Sequence, residues 1–230
     1  MGRCALKTSQ KIMSAAFVAI ELIMYYFILT ASGNLLVWAS FFSILLCFLY
    51  ACITYIKSDN ILVAALFCTV CADYCLVIMG STQRFMGMVF FFGVQMLYAL
   101  RLLIRHKNRW LYAIRIALTL LSPILVFSVL GENADRLAII SVMYYINLIF
   151  NIIVSAVNFK KNKVYLVALV LFLLCDTVIG LQVAAGGYLP IPPDSTLYKI
   201  IFPSFNLSWM FYLPSQVLIT LSGRKSAVRK

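Results

Sequence analysis

YIKSDNILVAALFCTVCADYCLV, from Tyr55 to Val77, and NFKKNKVYLVALVLFLLCDTVIG, from Asn158 to Gly180, align without a gap. Asp73 falls on Asp176 at an offset of 103 residues, and Lys57 falls on Lys160 at the same offset. In each copy the lysine precedes the aspartate by 16 residues of mostly apolar chain. Runs of this kind read as transmembrane helices. A carboxylate is expensive in hydrocarbon, so a repeated one marks a candidate functional site.

Working outward, the rest of the chain has the same character. Of 230 residues, 64% are hydrophobic and 11% are charged. Spanning a bilayer takes roughly 20 apolar residues. The chain divides into eight such stretches, near 11–30, 34–56, 61–80, 86–105, 110–130, 137–158, 164–186 and 199–221. Connections are short except at Ala185–Tyr198, and no soluble domain is left over.

The formal net charge of +12 raises the question of nucleic acid, but its placement points elsewhere. One set of alternate loops and the tail holds Arg3, Lys7, Lys11, Lys57, Arg101, Arg105, Lys107, Arg109, Arg115, Lys160, Lys161, Lys163, Arg224, Lys225, Arg229 and Lys230. The other side holds Arg84, Arg136 and Lys199, beside Glu132, Asp135 and Asp194. This is the positive-inside pattern, and it places both termini in the cytoplasm. The expectation is a multi-pass protein of the plasma or inner membrane, with no basic face interleaved with aromatics for nucleic acid. The first segment has too long an apolar run for a cleaved signal peptide and lacks a small-x-small site. Cys47, Cys52, Cys68, Cys71, Cys75 and Cys175 lie within helices and read as small packing residues rather than a disulfide framework.

The repeat continues beyond the aspartates. MVFFFGVQMLY (Met88–Tyr98) matches WMFYLPSQVLI (Trp209–Ile219), with Gln95 on Gln216. The longer offset is absorbed by the Pro- and Gly-rich GGYLPIPPDSTLYK connection. The fold expected is therefore all-α and polytopic: eight transmembrane helices built as a duplicated four-helix unit. It forms a single integral membrane domain over 1–230, with halves at about 1–107 and 108–230. An even number of helices per unit gives both copies one orientation about an axis along the membrane normal. Asp73 lies 12 residues past Ile61, about 18 Å along a helix, slightly beyond the midplane, and Asp176 is expected to face it.

Further polar residues gather on the second half. Tyr144, Asn147, Asn151, Ser155 and Asn158 recur at helical spacing on one face, and their repeat equivalents in the first half are Phe41, Ile44, Phe48, Cys52 and Tyr55. They are candidate substrate-binding groups or interhelical hydrogen-bond glue. The same alternatives hold for Gln95 and Gln216, and a purely structural pair is the alternative for Asp73 and Asp176. Glu21 is a third acid inside a span. It joins the site or pairs with a neighbour such as Arg115.

ADYCLV, GMVFFFGVQMLY, LLCDTVIG and FYLPSQVLI together resemble the YhhN-type membrane proteins, from about Tyr55 to Ser222. The resemblance implies a lysoplasmalogenase, which hydrolyses the vinyl ether bond of lysoplasmalogens to a fatty aldehyde and a glycerophospho-alcohol. It implies Asp73 and Asp176 as catalytic residues. Tyr98 and Tyr212 join Tyr144, Asn147, Asn151, Gln95, Gln216 and Glu21 as candidate substrate-binding residues. The expected partners are a lysophospholipid or other lipid substrate and the bilayer, with no nucleic acid and no obligate protein partner.

Two carboxyls suit this chemistry independently of the resemblance. Vinyl ether hydrolysis begins with proton transfer to the alkene carbon remote from the ether oxygen. The resulting oxocarbenium ion takes up water, and the hemiacetal collapses. One protonated acid and one anion are required, as in glycosidases, whose transition state is similar. No cofactor or metal is expected. His106 is the one histidine, whereas zinc hydrolases use several. No GxSxG, GxGxxG or Walker pattern occurs. Ser122-Pro123 reads as a helix kink. Two other classes stay open on sequence alone: a small proton-coupled transporter using the same aspartates, and a scaffold or receptor in which they bind helices together.

Overall fold

The computed structural model describes residues 2–104, 109–187 and 191–223. Among these the chain is helical throughout, with nine α-helices. They are α1 (Gly2–Thr30), α2 (Gly33–Tyr55), α3 (Asn60–Asp73), α4 (Arg84–Leu103), α5 (Arg109–Leu130), α6 (Arg136–Val157), α7 (Phe159–Gly187), α8 (Thr196–Ile201) and α9 (Leu207–Leu221). Seven helical segments are long and apolar enough to cross a membrane, which makes this a multi-pass membrane protein. Arg105, Lys107 and the basic tail Arg224, Lys225, Arg229 and Lys230 lie outside the described residues, as does His106.

The last expected span, 199–221, is divided. Pro203 follows a six-residue α8, and α9 starts afresh with the Asn206 side chain accepting from Trp209 N. The proline lacks an N–H and interrupts the helical ladder. The 15 residues of α9 rise about 22 Å, short of the roughly 30 Å hydrocarbon core. The third stretch, expected over 61–80, also changes character. α3 ends at Asp73, a π-helical turn covers Tyr74–Ile78, and a 3₁₀ turn covers Gly80–Gln83. Gly80, at φ +62°, supplies the left-handed conformation between them.

The outside of the bundle is apolar. Trp110, Leu120 and Val129 of α5 are 81%, 70% and 73% exposed, which suits contact with lipid. Inside, α2 packs on α3, α3 on α4, α4 on α6, α6 on α7, α7 on α9, and α9 back on α2. These six helices close a ring. α1 lies outside it against α2 and α9, and α5 lies outside it against α6.

Two in-helix prolines are accommodated by neighbouring hydroxyls. Pro214 cannot bond the Met210 carbonyl, which instead accepts from Tyr25 Oη of α1 at 3.1 Å. Pro123 leaves the Thr119 carbonyl free, and Ser122 Oγ donates to it at 2.7 Å. At the other end of the bundle, Arg101 forms a buried ion pair with Asp59 at 2.8 Å and donates to the Ser222 carbonyl at 2.8 Å. Its guanidinium also stacks 4.8 Å from the Tyr165 ring centre. This clamp joins the start of α3 to the ends of α4 and α9.

Candidate active site

The end of α3 presents Asp73 to the ring interior, where it is 3% exposed. The π turn that follows inserts an extra residue, closing with Met79 N donating to Tyr74 O at 3.0 Å. Such turns re-aim side chains and recur at functional sites. α4 packs closely against this turn because position 87 is glycine. A Cβ there would meet Leu76 Cγ at 2.5 Å. The close approach brings in Phe91, one turn further along α4.

Each aspartate is held by a tyrosine from a different helix. Tyr212 Oη of α9 donates to Asp73 Oδ2 at 2.6 Å. Tyr144 Oη of α6 donates to Asp176 Oδ2 of α7 in a short bond. Asp176 is less deeply buried than Asp73.

Aromatic rings pack around this arrangement. Phe91 lies 5.9 Å from Tyr144, 5.9 Å from Phe172 and 6.3 Å from Tyr212, centroid to centroid. Phe172 lies 5.5 Å from Tyr212 and 6.4 Å from Tyr144. Trp209 packs edge-on against Tyr212 at 4.9 Å. Both carboxyls thus bond to rings of one cluster, drawn from α4, α6, α7 and α9. Such ring faces carry partial negative charge and favour a cation placed over them.

The other candidates fall into separate groups. Asn147 and Asn151, one to two turns along α6 from Tyr144, and Gln95 of α4 are fully buried around Arg115. Arg115 therefore belongs to the protein interior and not to the basic loops where charge counting put it. Glu21 does not pair with Arg115. It accepts from Ser43 Oγ at 2.5 Å and Cys47 Sγ at 3.4 Å, which fastens α1 to α2. Tyr98 stacks edge-on with Tyr165 at 5.7 Å, on the Arg101 clamp rather than on an aspartate. Gln216 is fully buried, and its amide meets no partner among the described residues. The sequence reading missed Phe91, Phe172 and Trp209, whose type is common throughout this chain.

The sequence profile of the YhhN family matches residues 36–223, which covers most of the chain and both aspartates. The chain belongs to that family. Neither the comparison with curated proteins nor that with solved structures gives a match.

Proposed function

We propose that this YhhN-family chain is a membrane-embedded hydrolase that cleaves the vinyl ether bond of lysoplasmalogens, releasing a fatty aldehyde and a glycerophospho-alcohol. The observation that carries the reading is the pairing of two membrane-embedded carboxyls, each bonded to a tyrosine, against one aromatic cluster. A purely structural acid pair has no need of such rings, whereas an oxocarbenium ion is a cation stabilised by both anion and ring faces.

In this reading Asp73 is the general acid. It is the more deeply buried carboxyl, and burial favours the uncharged form of an acid. Its proton passes to the alkene carbon remote from the ether oxygen, and that oxygen shares the positive charge that develops on the carbon bonded to it. Asp176, less buried and bonded to Tyr144, carries the negative charge beside it. A water then bonds to the cationic carbon and gives its proton to Asp176. The hemiacetal hydroxyl then gives its proton to Asp73 as the bond to the glycerol oxygen breaks, and that oxygen takes the proton from Asp176, so the aldehyde forms and both carboxyls regain their starting states. Tyr144 and Tyr212 hold the carboxyls in place and set which oxygen of each faces the substrate.

The architecture belongs to the same proposal. α9 serves as an eighth, shortened crossing, so both termini lie on one side, in the cytoplasm. The chain is one domain made of two four-helix halves. The ring supports this, since α3 packs on α4 as α7 packs on α9, and α1 and α5 hold matching outer places. The substrate is a lysophospholipid drawn from the bilayer.

Purified protein incubated with a lysoplasmalogen and with its saturated ether analogue tests the function. Aldehyde should appear from the first and not from the second. No aldehyde from the vinyl ether, in folded protein, rejects the activity.

A further inference from the structure

The chemistry above leaves a buried cation unused. Arg115 is 4% exposed, six residues into α5. Among the described residues no carboxylate comes within ion-pair distance of it. Three of its N–H groups go to neutral oxygens instead. Nε donates to Asn147 Oδ1 at 2.5 Å, Nη1 to Asn151 Oδ1 at 3.0 Å and Nη2 to the Gln95 carbonyl at 3.1 Å.

A guanidinium can only donate, so it settles which way the surrounding amides point. Asn147 and Asn151 must turn their oxygens towards it. Asn147 Nδ2 is then used by Thr119 Oγ1 at 2.9 Å and by the Met143 carbonyl at 2.6 Å. Asn151 Nδ2 donates to Gln95 Oε1 at 2.8 Å, and this fixes the Gln95 amide as well. Gln95 Nε2 is left as a fully buried donor that meets no acceptor among the described residues. The group therefore has a surplus donor and an uncompensated positive charge. Either is costly in a protein interior. A negatively charged acceptor satisfies both.

Free volume lies beside the cluster on the α5 side. A cavity of about 110 Å³ adjoins the cluster, lined by Arg115, Thr119 and Asn147 with Met96, Ile116 and Leu120. Ile116 and Leu120 are 59% and 70% exposed on the outer face of α5, so the cavity lies towards lipid. Asn147 and Asn151 stand three and seven residues from Tyr144, about 4.5 and 10.5 Å along the helix. The three-carbon glycerol bridge between an ether oxygen and a phosphate falls within that range.

We infer that Arg115 and Gln95, held in place by Asn147 and Asn151, form a phosphate-binding site reached from the bilayer side of α5. A bound lysophospholipid places its headgroup phosphate there and its vinyl ether at Asp176. The lipid's identity rests on the proposed hydrolase reading, whereas the phosphate site stands on the cluster itself.

Binding tests this without any turnover. Wild-type protein in micelles is titrated with a saturated lysoether phospholipid and with the matching alkylglycerol, which lacks phosphate, and tryptophan fluorescence is read. The phospholipid should bind about 10–100-fold more tightly, the range for hydrogen bonds to a charged group. Arg115→Met should reduce that preference to near unity, and Arg115→Lys should keep part of it. Inorganic phosphate is added as a competitor. Displacement of the lipid means that the site also takes free phosphate, and no displacement means that it takes phosphate only as a lipid headgroup. Both results support the site. Equal affinity of the wild type for phospholipid and alkylglycerol overturns it, and this comparison needs no variant to fold. A preserved preference in folded Arg115→Met overturns it equally. Phosphate discrimination without aldehyde release rejects the hydrolase reading alone.

Discussion

Tyr212 and Asp73 are 139 residues apart in sequence and share a 2.6 Å hydrogen bond in the bundle interior. The bond joins α9 to the end of α3 across the ring, so it both closes the helix arrangement and fixes a carboxyl. Tyr144 does the same for Asp176 from α6. If these phenols position catalytic carboxyls, Tyr212→Phe and Tyr144→Phe should each lower turnover of a lysoplasmalogen by about 10-fold or more, the worth of a hydrogen bond to a charged group. The KM should change little. Full turnover in both variants contradicts the positioning role.

The orientation of the chain is tested separately. Reporter fusions at Lys230 and at Asp194 should report opposite compartments, with Lys230 cytoplasmic. The basis is the basic loop asymmetry and the reading of α9 as a crossing. The same compartment at both positions means that α9 does not cross.

Gly87 tests the close contact of α4 with the π turn. A Cβ at this position would lie 2.5 Å from Leu76 Cγ and 2.7 Å from Leu76 Cδ2. Gly87→Ala should destabilise the folded protein by about 1–3 kcal/mol, the usual cost of overpacking. Adding Leu76→Ala should recover part of that loss. The two changes are measured by thermal unfolding in micelles, and unaltered stability in Gly87→Ala contradicts the packing described.

The buried Arg101–Asp59 pair should behave as a clamp. Arg101→Met removes the α4 partner of the buried Asp59 carboxylate and releases the end of α9 at Ser222. The expected loss is about 3–5 kcal/mol, as for other broken buried pairs. A smaller loss in the double variant Arg101→Met, Asp59→Asn should show that the two residues act together.

Much of this architecture is legible in the chain. Long apolar runs identify the spans, and the gapless repeat picks out Asp73 and Asp176. The helical stripe on α6 contains Tyr144, Asn147 and Asn151, while Tyr212 lies in the motif shared with Met88–Tyr98. Other features escape such reading for physical reasons. Counting charge by loop cannot distinguish a basic residue at a helix end from one turned inward. Such counting puts Arg115 with the basic loops, although Tyr112, Arg115, Thr119 and Ser122 trace a polar stripe along α5. Hydropathy alone made 199–221 one span, but Pro203 and the Asn206 cap divide it. Phe91 and Phe172 are two of 17 phenylalanines, so residue type carried no signal there. Their place depends on how α4 and α7 face each other across the ring.

The paired-aspartate mechanism is tested most directly by aldehyde release from purified Asp73→Asn, Asp176→Asn and the double variant. Asparagine keeps the shape but can neither donate a carboxylic proton nor carry the charge. Each single variant should lose at least about 100-fold in turnover, the lower end for a positioned acid or base. All three should still fold, because asparagine keeps the shape, adds no charge to the interior and, at position 176, removes the desolvation cost of one. The double variant should be scarcely slower than either single one, since the carboxyls act as a unit. Near-normal aldehyde release by either well-folded single variant would contradict the mechanism.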